Sequence, residues 1–219
     1  MKETLYILTF VLFTNCNNGT GRNTSAIDSL ATTVTAPVSS ESSRVEIVCD
    51  SIYKNRNYKL TLTTLNNASE DELRFNSILT IEKRINGNYL EIFRDSIFSK
   101  VQEVRFDDYN NDGLKDILVQ NISDVRSNWT YYLYLVDTTS DKLEKIKGFE
   151  EIKNPRFIAK DNLIDNYVNS GRNWTQFHRI KGDSIFNYGV TIYDGENDNG
   201  NVTYDMEYKN AVKKILSGV

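Results

Sequence analysis

From residue 45 onward the chain is built of short runs in which apolar and polar residues alternate, with Asn, Asp and Gly between them. A period of two puts successive side chains on opposite faces of an extended strand. Residues 45–49 form a first apolar-rich segment, and Tyr58-Lys59-Leu60-Thr61-Leu62-Thr63 alternates strictly. Residues 78–85 and 89–93 flank Asn86-Gly87. That dipeptide suits a type I′ hairpin, whose two central residues both need positive φ. Val101-Gln102-Glu103-Val104-Arg105-Phe106 predicts another strand, and residues 116–120 hold the run Ile117-Leu118-Val119. Residues 129–136 are almost wholly aromatic and aliphatic and predict a central strand. Residues 174–180 and 184–192 flank Lys181-Gly182-Asp183 and predict a second hairpin. The period changes only at the end. Tyr208, Val212, Ile215 and Leu216 fall at helical spacing with Gly218 as a stop, predicting one C-terminal helix.

The expected fold is therefore mainly β: antiparallel sheets in a sandwich or partial-propeller arrangement, with a short C-terminal helix. Short strings recur along it. Asp-Ser-Ile-aromatic begins at Asp50, Asp95 and Asp183, and Asn-Trp-Thr begins at Asn128 and Asn173. Their separations are multiples of about 45 residues, the length of a propeller blade. Chance recurrence of strand-start strings in a β-rich chain is the alternative.

The first 43 residues lack this pattern. Met1-Lys2-Glu3 precedes an apolar run, residues 5–13, broken only by Thr9. It is far short of the roughly 20 residues that span a bilayer, and it fits the apolar core of a secretory signal. Phe13-Thr14-Asn15-Cys16 follows. Residues 1–16 are similar to a bacterial lipoprotein signal, in which Cys16 becomes lipid-modified and starts the mature chain. An ordinary secretory signal with an incidental Cys is the alternative. Residues 17–43 are rich in Asn, Gly, Ser and Thr without an aromatic ring, too polar to offset chain entropy by burial. They read as a flexible tether, leaving 44–219 as a single β-rich domain. The expected location is the bacterial cell envelope, lipid-anchored at the periplasmic face or outer membrane.

Composition narrows the function. With 26 Lys+Arg against 30 Asp+Glu, the formal net charge is −4, which gives no basic excess to hold nucleic acid. Two Cys and one His exclude a disulfide scaffold, a Cys-rich zinc module and His-x-x-x-His metal centres. His178 reads as a strand residue on the polar face, and Cys49 as a buried, inert thiol. No Gly-rich phosphate loop is present. A non-catalytic protein is expected.

One string carries specific chemistry: Asp108-Tyr109-Asn110-Asn111-Asp112-Gly113-Leu114-Lys115-Asp116. Its spacing, D-x-N-x-D-G-x-x-D, is that of a calcium loop. Asp108, Asn110 and Asp112 supply oxygens at positions 1, 3 and 5, and Gly113 permits the sharp turn. Leu114 offers a backbone carbonyl at position 7, and Asp116 an oxygen at position 9, directly or through water. Val119 stands where an EF-hand places its bidentate Glu, so the loop is EF-hand-like and structural rather than a complete EF-hand. A solvated Asp/Asn/Gly turn is the bland alternative. Asp194-Gly195-Glu196-Asn197-Asp198-Asn199-Gly200-Asn201 repeats the alternation of acids with its Gly displaced. It reads as a solvated hairpin tip, a second cation being the other possibility.

The calcium string followed by an apolar strand resembles the repeat unit of FG-GAP and VCBS proteins. The order from Arg105 to Ile192 extends the likeness. Acidic loop, Ile-Leu-Val strand, Trp129-Thr130-Tyr131-Tyr132-Leu133-Tyr134-Leu135, Lys153-Asn154-Pro155, and Ser170-Gly171-Arg172-Asn173-Trp174 follow one another. This resembles a family of single-calcium-loop bacterial lipoproteins that includes a Xanthomonas immunity protein against a lysozyme-like effector. The resemblance covers about half of 44–219. It implies Ca2+ as the bound ion and a lysozyme-like peptidoglycan hydrolase as the protein partner. Ser170-Gly171-Arg172-Asn173-Trp174 is also similar to the S-G-x-x-Y loop of periplasmic lysozyme inhibitors, with Trp174 in place of Tyr. That likeness implies that Ser170, Gly171, Arg172 and Trp174 form the partner-binding loop. A turn at Gly171 with Trp174 in the core is the alternative. The competing functional class is a non-catalytic surface module that binds carbohydrate or another envelope protein, with the aromatics of 129–134 and Trp174 stacking on sugar.

Overall fold

The computed structural model describes residues 43–53, 57–65, 75–195 and 204–218. Cys16, the signal and nearly all of the tether lie outside them, as does the acidic string beyond Gly195. Among the described residues no helix is long and apolar enough to cross a membrane.

Among the described residues the protein is mainly β, with three antiparallel four-stranded sheets and one C-terminal helix. The first sheet contains β1 (Arg44–Ile47), β2 (Tyr58–Thr64), β3 (Ser77–Ile85) and β4 (Asn88–Ile97). The second contains β5 (Val104–Asp107), β6 (Asp116–Ser123), β7 (Trp129–Asp137) and β8 (Lys142–Lys145). The third contains β9 (Pro155–Ile158), β10 (Leu163–Asn166), β11 (Trp174–Lys181) and β12 (Ser184–Tyr193). Helix α1 (Tyr204–Ser217) follows, and Gly218 at φ 74° ends it. In every sheet the spatial order is the chain order, so each is a simple meander, the construction of a propeller blade. Asn86 (φ 52°) and Gly87 (φ 85°) turn β3 into β4 as the dipeptide predicts. The strand expected from Val101 begins only at Val104, because Gln102 sits at φ 52°, outside the extended region.

The sheets stack through their faces. Leu60, Leu62, Leu79 and Ile81 of the first pack against Ile117, Val119, Tyr134 and Val136 of the second. The opposite face of the second sheet presents Leu118, Tyr131 and Leu133 to Ile164 of the third and to Phe149 and Ile152 of the connecting segment. The far face of the third sheet, with Phe177 and Ile192, is covered by α1 through Ala211, Tyr208 and Val212. The central strands of the second sheet thus have both faces buried, and Ile117-Leu118-Val119 is apolar at every position for that reason. The first sheet ends the stack with a polar face on which Arg44 meets Glu82 at 3.4 Å and Arg94 meets Glu91 at 2.6 Å. Among the described residues the three sheets form three stacked layers.

The two Asn-Trp-Thr strings are structurally equivalent: each opens the third strand of its sheet, β7 and β11. The Asp-Ser-Ile strings are not. Asp50 follows β1, Asp95 lies within β4, and Asp183 lies in the β11–β12 turn.

His178 departs from its expected place. It lies on β11 opposite Ile164, is 5% exposed, and neither ring nitrogen has a hydrogen-bond partner. It belongs to the packed face between the second and third sheets, not to a polar face. Burial alone pushes its pKa down from the usual 6.5 to about 4. Between those values the unfolded chain binds the proton more tightly, so stability falls as pH drops from 6.5 towards 4. The contribution is about 1.4 kcal/mol per pH unit. Thermal unfolding of wild type and His178→Leu across pH 4 to 7 checks this: the Tm of the variant should rise relative to that of the wild type as pH falls. A constant difference would show that His178 is charged or solvated in the native state.

Candidate functional site

Two loop clusters, at opposite ends of the second sheet, gather the residues singled out in the sequence. The first is the calcium-type string, which joins β5 to β6. Asn111 (φ 63°) and Gly113 (φ 83°) reverse the backbone. This aims the N–H groups of Asn110 (3.2 Å), Asn111 (2.6 Å) and Gly113 (3.0 Å) at the Asp108 carboxylate. Asp112 accepts the Leu114 N–H at 2.7 Å and the Asn110 side-chain amide at 2.8 Å. The Asn110 side-chain oxygen accepts the Asp112 N–H at 3.0 Å.

Asp116 differs from the other acids. It is fully buried at the start of β6 and accepts the N–H groups of Tyr109 (2.8 Å) and Val136 (3.1 Å). It therefore fastens the loop to β7. Burial pushes its pKa up to about 6, against the pull of those two hydrogen bonds, and the charges of Asp112 and Asp108 add to the rise. Asn110 and Asp112 also line a cleft of about 620 Å³ between β4 and the β7–β8 hairpin, together with Asp137, Asp141 and Glu144.

The oxygen-only donor set suits a hard cation. Among the described residues no Lys or Arg pairs with Asp108, Asp112 or Asp116, so their mutual repulsion is unrelieved by a protein cation. Three acidic side chains do not converge at ligating distance among the described residues. The reason is visible in the hydrogen bonds. Each carboxylate is turned towards backbone N–H groups, and the Asn110–Asp112 bond closes the space between positions 3 and 5.

The second cluster centres on Asn128, which precedes β7 and is 2% exposed. Its side-chain oxygen accepts the Asn169 N–H at 2.8 Å and the Asn154 amide at 3.1 Å. Its amide donates to Asp124 (2.8 Å) and to the Asn169 carbonyl (2.9 Å). Asn154 accepts the Trp129 N–H at 2.8 Å and donates to the Tyr167 carbonyl at 2.8 Å. Hydrogen bonds from Asn128, with help from Lys153, hold the Asp124 carboxyl far below the usual range. These asparagines tie the β6–β7 turn, the β8–β9 connection and the β10–β11 loop together.

The 170–174 segment rests on that network. The Ser170 N–H donates to the Asn173 side chain at 3.0 Å, and the Ser170 hydroxyl donates to the Arg172 carbonyl. Arg172 is exposed, with its guanidinium 4.7 Å above the ring of Tyr193. Gly171 is exposed, with open space around its Cα. Trp174 is half-buried and pairs with Tyr193 across the β11–β12 ladder. Thus Gly171 and Arg172 present outward, Ser170 is half-buried with its hydroxyl turned back onto the loop, and Trp174 forms the footing.

The remaining candidates separate. The aromatics of 129–134 do not form an open sugar platform: Tyr131 is 5% exposed, Tyr134 is fully buried, and Tyr132 packs against the first sheet. Cys49 is buried, its thiol directed at the Tyr58 carbonyl, and burial pushes its pKa up. The asparagine network escaped the sequence reading, although one sign was there: Asn128 and Asn173 both stand immediately before a strand, where a side-chain amide can cap backbone groups.

Comparison with protein-family models, with curated proteins and with solved structures finds no match to this chain.

Asn128 should dominate the stability of this end. Asn128→Ala leaves the Asn169 N–H and the Asn154 amide without an acceptor, costing about 1–3 kcal/mol in urea unfolding. Asn169→Ala keeps the backbone contacts and should cost well under half as much. Equal losses would mean that the network is not organised around Asn128.

Proposed function

We propose that the chain is a calcium-stabilised envelope lipoprotein. On this reading it binds a lysozyme-like peptidoglycan hydrolase through the 170–174 loop and blocks its cleft. The observation that carries this reading is the loop itself, exposed at its tip and held from behind by a satisfied polar network. A loop fixed before binding loses little entropy on binding. A lysozyme-type cleft presents two carboxyl groups. Arg172 can meet one of them through charge-assisted hydrogen bonds. The Ser170 hydroxyl can meet the other by exchanging its internal carbonyl partner.

Calcium would be held by Asp108, Asn110, Asp112, the Leu114 carbonyl and Asp116. Binding would break the Asn110–Asp112 hydrogen bond and turn those side chains towards the ion. The ion would supply no chemistry to a substrate. It would neutralise the acids and brace the turn that carries Asp116 to β7. Affinity in the range of roughly 10⁻⁴–10⁻³ M fits a loop without the bidentate acid.

A glycan-binding module is the second reading. Two tyrosines beside the loop are partly exposed: Tyr167 (37%), whose hydroxyl accepts the Asn173 amide, and Tyr193 (43%), whose ring lies under the Arg172 guanidinium. Binding of soluble peptidoglycan fragments without any effect on a hydrolase would favour it.

The purified chain, mixed in calcium with a panel of lysozymes and secreted peptidoglycan hydrolases, should inhibit clearing of cell walls by at least one of them in stoichiometric fashion. Arg172→Ala should weaken that inhibition about tenfold, or 1.4 kcal/mol, with Tm unchanged, and Ser170→Ala should weaken it less. Undiminished inhibition by both variants would remove the loop from the interface. Separately, calcium at tenfold its Kd should add about 1.4 kcal/mol of stability. Asp112→Ala should abolish that gain, and a wild-type Tm indifferent to calcium and chelator would refute the metal site.

A further inference from the structure

A groove of about 630 Å³ runs between the C-terminal half of α1 and the edge of the third sheet. Its apolar strip comes from Tyr208, Val212 and Leu216 on the helix and Ile158 on β9. Three consecutive residues of β9, Arg156, Phe157 and Ile158, border it. Successive strand residues point to opposite faces, so it is the edge of the strand that meets the groove. β9 is the terminal strand of its sheet, and a terminal strand can pair with another chain along its outer edge; at its start the Pro155 carbonyl accepts the Tyr109 hydroxyl at 3.2 Å.

The charge around this strip runs against the charge of the whole chain. Formal net charge is −4, yet the groove is bordered by Lys209 and Lys213 on one rim and by Lys160 and Arg156 on the other. Asp161 is the one acid in its lining, 3.7 Å from Lys160. Arg156 is bound to Asp165 through two N–H groups, while Lys209 and Lys213 have no partner among the described residues. Like charges four residues apart on a helix repel, and here they face further cations across an apolar floor.

We propose that this groove binds an extended acidic peptide whose carboxylates alternate with aliphatic side chains. The distribution of charge selects this occupant. A single-headed amphiphile presents its charge at one point, whereas these cations lie along both rims. Lys209 and Lys213 are separated by a rise of about 6 Å along the helix. Alternate side chains of an extended peptide are spaced about 6.6–6.8 Å apart, which matches. The carboxylates then face the helix, where they meet Lys209 and Lys213 and lay their methylene stems on Val212 and Leu216; the aliphatic positions point to the opposite face, the side of Phe157, and the backbone lies beside β9 as an added strand. This site is separate from the 170–174 loop and does not depend on the function proposed for it.

The test is fluorescence anisotropy with a short labelled peptide alternating Glu and Leu, using the full-length protein. The peptide should bind, and affinity should fall steeply with salt. The same peptide with Gln for Glu should not bind. Lys209→Gln with Lys213→Gln should weaken binding about tenfold, equivalent to one Kd decade, with the thermal unfolding curve unchanged. No binding of the Glu peptide, or equal binding of the Gln peptide or to the double variant, would overturn the proposal. So would binding to phosphatidylglycerol vesicles that the peptide cannot displace, which would assign the groove to a lipid surface. Val212→Ser gives an independent variant that leaves the rim charges in place and should also lose affinity.

Discussion

The central strands of the second sheet, β6 and β7, are packed on both faces, and the rest of the architecture follows from that constraint. A four-stranded sheet with apolar side chains on both sides needs a cover on each. The first and third sheets provide it, and each then has an outer face of its own to resolve. The first resolves it with threonines and ion pairs, the third with a helix. Such contacts are non-directional, so polar clamps at the borders fix how the layers meet. Lys83 and Tyr58 of the first sheet both reach Asp141 in the β7–β8 turn. Asp95 of β4 accepts the buried Tyr134 phenol at 2.8 Å and the Lys145 ammonium at 2.7 Å. On the other side Asn128 joins the second sheet to the third. Packing supplies the bulk of the stabilisation and these directional contacts select one arrangement.

Both candidate sites depend on the same sheet. The acidic loop hangs from β6 and is fastened by Asp116 to the backbone of β7. The 170–174 loop belongs to the third sheet, but its support comes from the asparagines before and after the strands of the second. Asp116 and Asn128 are therefore comparable elements, each a buried polar side chain that reaches the backbone of another segment, Asp116 at Val136 and Asn128 at Asn169. A buried polar group with satisfied partners rigidifies its surroundings, which suits the two loops that carry the recognisable chemistry.

Much of the strand content was legible because period two survives wherever one face is polar. Tyr58-Lys59-Leu60-Thr61-Leu62-Thr63 and the Asn86-Gly87 hairpin are read directly from it. The strands that escaped, β8, β9 and β10, have four residues each. Over so few positions the alternation of Lys142-Leu143-Glu144-Lys145 is indistinguishable from a polar loop, and Leu163-Ile164-Asp165-Asn166 is buried at every position. The calcium-type string was legible by spacing, since Gly113 and the acids stand where such a turn needs them. Its hydrogen-bond economy was not, because whether a carboxylate faces an ion or a backbone N–H depends on the local φ values. His178 was misplaced for a related reason: a polar residue between Phe177 and Arg179 looks solvent-facing until the second sheet is laid against it.

The meander order has a consequence for how the chain is made. Each sheet is one uninterrupted stretch of sequence whose strands pair with their neighbours, so pairing within a sheet closes only short loops. A chain emerging from its N-terminal end can complete β1 to β4 before any of the second sheet exists. That early sheet then displays Leu60, Leu62, Leu79 and Ile81 with nothing to cover them. Until β6 and β7 arrive, its apolar face is a surface on which unfinished copies can adhere to one another. Crowding of emerging chains is thus most hazardous in the interval between the first sheet and the second, and slow emergence of residues 98–137 would lengthen it.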